Sequence, residues 1–272
     1  MTDNRQPTTV NSPFSLQGKR ALVTGGTRGI GAAVSRLLAT CGASVCVGYR
    51  SRKRDADVLL GELAIIAEVS RLGGKVASFA ADLGSPSGAE ALVAHAAHEL
   101  GGLDICVHSA GIWPVEEAAV SVMDDARWAR TIRENLDATF FVARAAARAM
   151  LAGGSKGRIV LVSSTAGQRG EPMHADYAAS KGAVISLVKS MAVELATQGI
   201  TVNSIAPGWV DTEMCEEPFA GDGRERIAKG IPVGRIATSD DIAFPIVSLC
   251  FDGARHVTGE IVNVNGGSVL CG

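Results

Sequence analysis

A chain of 272 residues with 47% hydrophobic, 20% charged and only 4% aromatic residues must build its core from Ala, Val, Leu and Ile rather than from large rings. That length permits one α/β domain or two, and no break in composition marks a second. A formal net charge of −2 supplies no basic field for phosphate backbones or anionic lipid, which excludes nucleic acid and membrane surfaces as main partners.

Residues 1–15 are polar, include Pro7 and Pro13, and have neither the charged start nor the apolar centre of a signal peptide. They predict a flexible tail on a cytoplasmic protein. From Gly18 onward, short apolar runs alternate with longer helical patterns, the signature of βαβ units. Strands are predicted over residues 20–23, 44–49, 75–80, 104–108, 158–162, 201–205 and 260–264, most of them continuous Val, Ile, Leu and Ala, as in strands buried on both faces. Helices are predicted over residues 29–41, 55–72, 86–100, 124–151, 176–198 and 239–251, with Gly42, Gly73, Gly101, Gly153 and Gly199 placed to supply left-handed caps. The fold class is therefore α/β: one domain over residues 16–272, with a doubly wound, seven-stranded parallel sheet covered by helices on both faces. Residues 211–235, rich in Gly, Glu and Pro, are the longest irregular stretch and predict a mobile lid over a site. No apolar run approaches the roughly 18 residues a membrane span needs. Cys41, Cys46, Cys106, Cys215, Cys250 and Cys271 are scattered, with no CxxC pair and no histidines at ligand spacing. They are expected to be reduced and mostly buried, with no metal site.

Directly after the first strand stand Thr24, Gly25, Gly26, Thr27, Arg28, Gly29, Ile30 and Gly31, followed by a helix of small residues. In that position Gly25 permits a tight turn, Gly29 lets the backbone approach a pyrophosphate, and Gly31 lets the helix pack closely on the strand. The pyrophosphate would sit on the helix N-terminus, where free N–H groups favour negative charge. No Lys-Ser/Thr pair follows, so a P-loop NTPase is disfavoured. An NAD site places Asp or Glu at the end of the second strand, but here Tyr49, Arg50 and Ser51 stand there. Arg50 can pair with an additional ribose phosphate, and Arg28 can reach it from the other side, so the expected cofactor is NADP(H). Arg52, Lys53 and Arg54 extend this positive edge.

Tyr177 and Lys181 lie four apart in a helical pattern and so share a face. An unperturbed tyrosine titrates near ~10, and a neighbouring ammonium lowers that value by stabilising the phenolate, which makes Tyr177 a usable general acid or base. Ser164 stands at the exit of the fifth strand, at the sheet edge where ligands bind, and its hydroxyl can donate to a substrate carbonyl. Asn135, within the long fourth helix, must face inward with its amide satisfied.

The segments TGGTRGIG, ENLDATF, IVLVSS, YAASK and APGWVDT, in this order and spacing over nearly the whole chain, resemble the signatures of the short-chain dehydrogenase/reductase family. The resemblance implies a Rossmann fold and a tetrad in which Ser164 orients the carbonyl, Tyr177 passes the proton, Lys181 fixes ribose and lowers the tyrosine pKa, and Asn135 holds a relay water beside Lys181. It implies that Asp82 bonds the adenine and Thr212 the carboxamide. It extends the cofactor site to Thr27, Ile30, Tyr49, Ser51 and Leu83, to Ser109, Ala110 and Gly111, and to Pro207, Gly208 and Val210. One departure is plain: where the family carries Asn, Asn, Ala, Gly after the fourth strand, this chain has His108, Ser109, Ala110 and Gly111, with the structural role expected to survive and a catalytic His108 disfavoured.

Trp113, Gln168, Met173, His174, Trp209 and Met214 follow strand ends and are candidates to line a substrate pocket, as is the stretch from Met214 to Phe219. Within the family the chain looks closest to 3-oxoacyl carrier-protein reductases and their ketone-reducing relatives. Near the fourth and fifth helix ends only Lys156 offers a basic contact for an acidic carrier protein, which favours a free small-molecule ketone or alcohol. Two further readings are an NAD-linked alcohol or sugar-alcohol dehydrogenase, sharing every catalytic residue, and a dinucleotide-binding sensor without catalysis, which the presence of both Tyr177 and Lys181 disfavours. The resemblance also implies a homotetramer, with a dimer as the alternative, and the alanine face from Ala143 to Ala149 would allow close helix packing. The helix over residues 55–72 is several residues longer than is usual in the family.

Overall fold

The computed structural model describes residues 13–271, so the tail expected over residues 1–15 lies, up to residue 12, outside the described residues. Among the described residues, seven strands pair in parallel: β1 (Arg20–Thr24), β2 (Ser44–Tyr49), β3 (Val76–Ala80), β4 (Ile105–His108), β5 (Arg158–Val162), β6 (Thr201–Pro207) and β7 (Ile261–Val264). Their spatial order is β3-β2-β1-β4-β5-β6-β7. Side chains alternate between faces with period two. Ala21 and Val23 enter one hydrophobic cluster and Leu22 the other; Ile105 and Val107 oppose Cys106, and Val160 opposes Ile159 and Leu161, in the same way.

Helices α1 (Gly29–Thr40) and α2 (Lys53–Ser70) cover the first face. Helix α3 (Pro86–Leu100) covers the second, capped by Ser85, whose hydroxyl accepts from the Gly88 N–H. Then come α4 (Asp125–Ile132), α5 (Ala138–Ala152), α6 (Ala166–Arg169), α7 (Ala175–Leu195), α8 (Gly223–Lys229) and α9 (Ser239–Ser248). Helices α5 and α7 join α3, and α9 joins α1, whose small residues Ala32, Ala33 and Ala39 allow close contact. The sheet is a Rossmann fold in a single domain. Strand order reverses between β1 and β4, which opens a crevice at their C-terminal ends. No helix among the described residues is long and apolar enough to cross a membrane.

Several local expectations are corrected. The helix expected over residues 124–151 is broken by a π-turn at Arg133–Asp137 around Asn135. Gly153 has φ −84°, and the left-handed conformation falls one residue later, at Gly154 with φ +64°. Helix α2 starts two residues earlier than expected and ends on Arg71, which takes the left-handed cap itself at φ 56°. Residues 211–235 are not an irregular loop: Glu213–Cys215 form a 3-10 turn, α8 follows, and Phe219, Ile231 and Ile236 make a small core of their own. The cysteines are free, but only Cys46, Cys106 and Cys250 are buried, while Cys271 is exposed.

Candidate active site

The turn from β1 into α1 is shaped by backbone approaches that leave no room for side chains. A Cβ on Gly31 would lie 2.2 Å from the Gly25 carbonyl oxygen, and one on Gly25, at φ +61°, 2.9 Å from the Ala110 Cα. Arg28 precedes α1 without a side-chain cap, so the first N–H groups of the helix face the groove unpaired by a cap. That groove is lined by Gly25, Thr27, Arg28, Gly29 and Ile30, by Tyr49, Arg50, Ser51 and Leu83, and by Ser109, Ala110, Gly111 and Thr212. Its glycine turn and the uncapped start of α1 fit the phosphates of a dinucleotide. Gly31 packs behind the turn, and Asp82 sits beside the groove rather than in its wall. The Asp82 carboxylate accepts from the Gly84 N–H and from Arg133, which outweigh the upward push of burial and hold it below the usual carboxylate range.

Three arginines of the positive edge are already paired. Arg28 donates to Glu213 at 2.5 Å, Arg52 contacts the same carboxylate at 2.9 Å, and Arg50 donates to Glu134 at 2.6 Å. These carboxylates come from distant segments and were not expected from the local pattern.

Sharing Ile30, Ser109, Gly111, Ile112, Thr212 and Met214 with the groove, a second cleft of about 840 Å³ including its mouth opens over the ends of β5 and β6. Ser164, Tyr177 and Lys181 line it together, with Pro207, Gly208 and Val210 on the far wall. Tyr177 and Lys181 share one face of α7, and both are buried. Lys181 Nζ donates to the Val162 carbonyl at 2.9 Å, while the Ser163 hydroxyl donates to the Lys181 carbonyl at 2.8 Å. Burial pushes the Lys181 ammonium down to about 8. The expected acidification of Tyr177 does not occur in this geometry: burial pushes the phenol up to about 12, offset only in part by the Ser164 hydroxyl, and Cys215 and Glu171 push the same way as burial. Lys181 Nζ lies 5.7 Å from the ring centroid, with its donor turned to Val162.

Asn135 is fully buried and clamps the backbone after β4: its Oδ1 accepts from the Ile112 N–H at 2.7 Å, and its Nδ2 donates to the Ile112 carbonyl at 3.0 Å. The π-turn aims this amide. A Cβ on Gly111 would lie 3.0 Å from Asn135 Oδ1 and 3.5 Å from Lys181 Nζ, so the clamp sits directly beside the lysine. His108 is buried, with Nδ1 2.8 Å from the Thr24 hydroxyl, and burial followed by the Lys181 charge pushes it down to about 3. A neutral imidazole held so deep is a structural group.

Of the six predicted pocket residues, Trp113, Trp209 and Met214 line the cleft. Trp113 stacks on His174 with centroids 4.0 Å apart and stands edge-on to Tyr177 at 4.7 Å. The others are turned away. Gln168 donates to Asn263 at 2.6 Å, His174 Nε2 contacts the Pro114 carbonyl at 2.9 Å, and Met173 holds φ 65° with its carbonyl accepting from the Ala118 N–H and Arg127. Phe219 belongs to the small core instead. Cys215, within the expected stretch from Met214 to Phe219, also lines the cleft, whereas sequence reasoning missed Ile112 and the ion pair Arg169–Glu171, 2.7 Å, which line it too. It missed Arg127 and Asp176 as well. Adjacency of Asp176 to Tyr177 was the available signal.

A Rossmann crevice continuous with a cleft that gathers Ser, Tyr and Lys defines a nicotinamide-dinucleotide oxidoreductase. A family model described as enoyl-(acyl carrier protein) reductase matches residues 25–268. The L-rhamnose 1-dehydrogenase (NAD(P)(+)) of Azotobacter vinelandii is 36% identical over 255 residues, 93% of this chain and 97% of that protein. A 3-oxoacyl-(acyl-carrier-protein) reductase of Vibrio cholerae is 35% identical over 257 residues, 94% of this chain and 100% of its own length. A structure from Beutenbergia cavernae, of a candidate NAD(P)-dependent gluconate 5-dehydrogenase with NADP bound at low occupancy, superposes with TM-score 0.84 at 36% identity, covering 94% of this chain and 99% of that one. The chain belongs to the short-chain dehydrogenase/reductase family.

Proposed function

We propose that this chain is an NADP(H)-dependent oxidoreductase that interconverts a ketone and a secondary alcohol on a free small molecule. One observation carries the reading: Ser164, Tyr177 and Lys181 converge on a cleft that shares a wall with the glycine-turn groove. Arg28, Arg50 and Arg52 around the groove, with no carboxylate at the end of β2, support the phosphorylated cofactor. Bound NADP(H) supplies or accepts a hydride at the nicotinamide.

The residues handle the proton. In reduction, the Ser164 O–H and the Tyr177 O–H both donate to the carbonyl oxygen of the substrate, holding it against the Trp113 and Trp209 wall. As the oxygen gains charge, Tyr177 passes it a proton, and the Lys181 ammonium beneath stabilises the resulting phenolate. Asn135 keeps the Ile112 backbone and the lysine pocket in register, and a relay water beside Lys181 would return the proton. Oxidation reverses these steps. Thr212 is assigned to the cofactor carboxamide, and the segment 211–235 to a lid.

Two readings stay beside this one. The pairing of Arg28, Arg50 and Arg52 with carboxylates favours use of NAD as well, and the A. vinelandii relative is named for both cofactors. Carrier-protein substrates follow from the V. cholerae relative, although Lys156 is the only basic residue near the helix ends where they would dock. We further propose a cytoplasmic homotetramer, supported by exposed Phe140 and Leu151 on α5 and Val193 on α7. Replacing Tyr177 with Phe tests the proposal: NADPH binding, followed by fluorescence, should persist while reduction of every active ketone in a panel is lost. Turnover at the unmodified rate rejects the proton donor.

A further inference from the structure

Thr212 and Glu213 leave the end of β6 and cross to the opposite bank of the groove. Thr212 packs so close to the glycine turn that a Cβ on Gly29 would meet its methyl at 3.1 Å. Glu213, the next residue, sets one carboxylate oxygen 2.5 Å from Arg28 Nη1 and 2.9 Å from Arg52 Nη2, and the other oxygen 3.3 Å from Arg52 Nη1. Two guanidinium groups converging on one compact anion form the same arrangement that reads a phosphate monoester. The three side chains are 51%, 50% and 43% exposed, so an anion from solution can reach and replace the carboxylate. Arg50 differs: its partner Glu134 is only 12% exposed and is shared with Arg133, which anchors that carboxylate to the body of the protein.

We infer that Glu213 is an internal competitor for the 2′-phosphate of the cofactor and thereby a specificity-determining residue. The inference rests on the NADP(H) reading of the groove. Glu213 fills the Arg28–Arg52 pair, and a 2′-phosphate must displace it to be read. Displacement breaks the ion pairs joining residue 213 to the glycine turn, which also frees the start of the segment leading into α8. A cofactor without the phosphate leaves the pairs intact, so Glu213 narrows the preference for NADP(H) that the arginines alone would impose.

Half-exposed ion pairs are individually weak, so the effect is modest. In Glu213→Gln the shape is kept and the charge removed. Titration calorimetry with adenosine 2′,5′-bisphosphate and NADPH should show binding tightened about three- to tenfold. ADP and NADH should change less than about twofold. Weaker binding of the phosphorylated ligands, or equal shifts for both sets, overturns the competition. A wild-type protein that prefers NADPH, paired with an indifferent variant, sinks the inference about Glu213 alone. A wild-type protein that binds ADP and NADH as tightly as adenosine 2′,5′-bisphosphate and NADPH removes the NADP(H) reading and this inference with it.

Discussion

The carboxylate of Asp176 and the guanidinium of Arg127 form a buried ion pair, 3.1 Å between Oδ2 and Nε, one residue before Tyr177. Arg127 also donates to the carbonyls of Glu116 and Met173, and Thr131 donates its hydroxyl to Asp176 at 2.8 Å. One guanidinium thus ties α4 to the start of α7 and to both loops behind Trp113. The left-handed Met173 follows from this, since its carbonyl is held by Arg127 and Ala118 together.

Removing one partner of a buried pair leaves the other charge without compensation, at a cost of roughly 3–5 kcal/mol. Arg127→Met is therefore expected to lower the thermal midpoint by about 10 °C. Burial alone would raise the Asp176 pKa, but Arg127, Thr131 and the Tyr177 N–H hold it below the usual carboxylate range. Its contribution to stability is present above that range and lost as pH falls through the depressed folded value. Calorimetry of wild type and variant checks this; an unchanged midpoint removes Arg127 from the framework of the site.

Lys181, not Tyr177, titrates in the accessible range, because burial moves the ammonium down to about 8 and the phenol up to about 12. For reduction, kcat/KM should hold level to near neutral pH and fall as pH rises through about 8, where the ammonium that stabilises the phenolate is lost. Lys181→Arg should move the fall to higher pH at a lower rate. The stability sign is the opposite of a favourable lysine interaction. With a folded value below the unfolded 10.5, the cost of burying the charge is full below about pH 8 and relieved as pH rises toward 10.5, about 3 kcal/mol in all. Lys181→Met should raise the urea midpoint at pH 7 while turnover disappears, and a variant less stable than wild type at that pH contradicts the burial argument.

Much of this architecture was legible because buried parallel strands and glycine turns leave local marks: β1 reads as apolar residues between Arg20 and a glycine run, Gly25 and Gly31 have backbone neighbours that admit no side chain, and Gly29 holds a left-handed φ of +50°. Tyr177 and Lys181 were legible because four residues make about one helical turn. What escaped depends on distance along the chain. Glu213 lies 185 positions from Arg28, and Glu134 lies 84 from Arg50, so no window on the sequence shows that the arginines along the groove are paired. Gln168 and His174 follow strand ends as pocket residues do, yet Asn263 and the Pro114 carbonyl draw them inward. The π-turn at Asn135 has no local signal; it forms where the Asn135 amide meets the Ile112 backbone, a partner on another element.

Gly167 presses α6 against α7. A Cβ there would lie 2.5 Å from the Lys181 carbonyl carbon and 2.7 Å from the Gly182 nitrogen, both backbone atoms, so Gly167→Ala forces the two helices apart and is expected to displace α7. A displacement near 1 Å at the reacting groups costs on the order of 10²-fold in rate. The variant should show a kcat lower by about that factor with KM for NADPH little changed, since the glycine turn lies elsewhere. A kcat within twofold of wild type shows that α6 yields instead of α7.

His108 stands where the family usually carries Asn, and this exchange predicts an acid sensitivity. Burial, and then the charge of Lys181, pushes the imidazole down to about 3, and its Nε2 has no hydrogen-bond partner. In the unfolded chain the same group titrates near 6.5. As pH falls below 6.5 the unfolded state takes up a proton that the folded state refuses, so stability is full above that value and declines as pH falls toward about 3. Between pH 7 and pH 5 the loss from this one group is about 2 kcal/mol. Asp104, Asp176 and Asp241 have folded values below the usual carboxylate range, and their unfolded value is 3.8, so they contribute little above pH 5. His108→Asn replaces the imidazole with an amide that does not titrate and can still reach the Thr24 hydroxyl. Urea denaturation at the two pH values should show the wild-type protein losing about 2 kcal/mol more than the variant, the other histidines cancelling in the difference. Parallel losses would place the acid sensitivity elsewhere and leave His108 as packing alone.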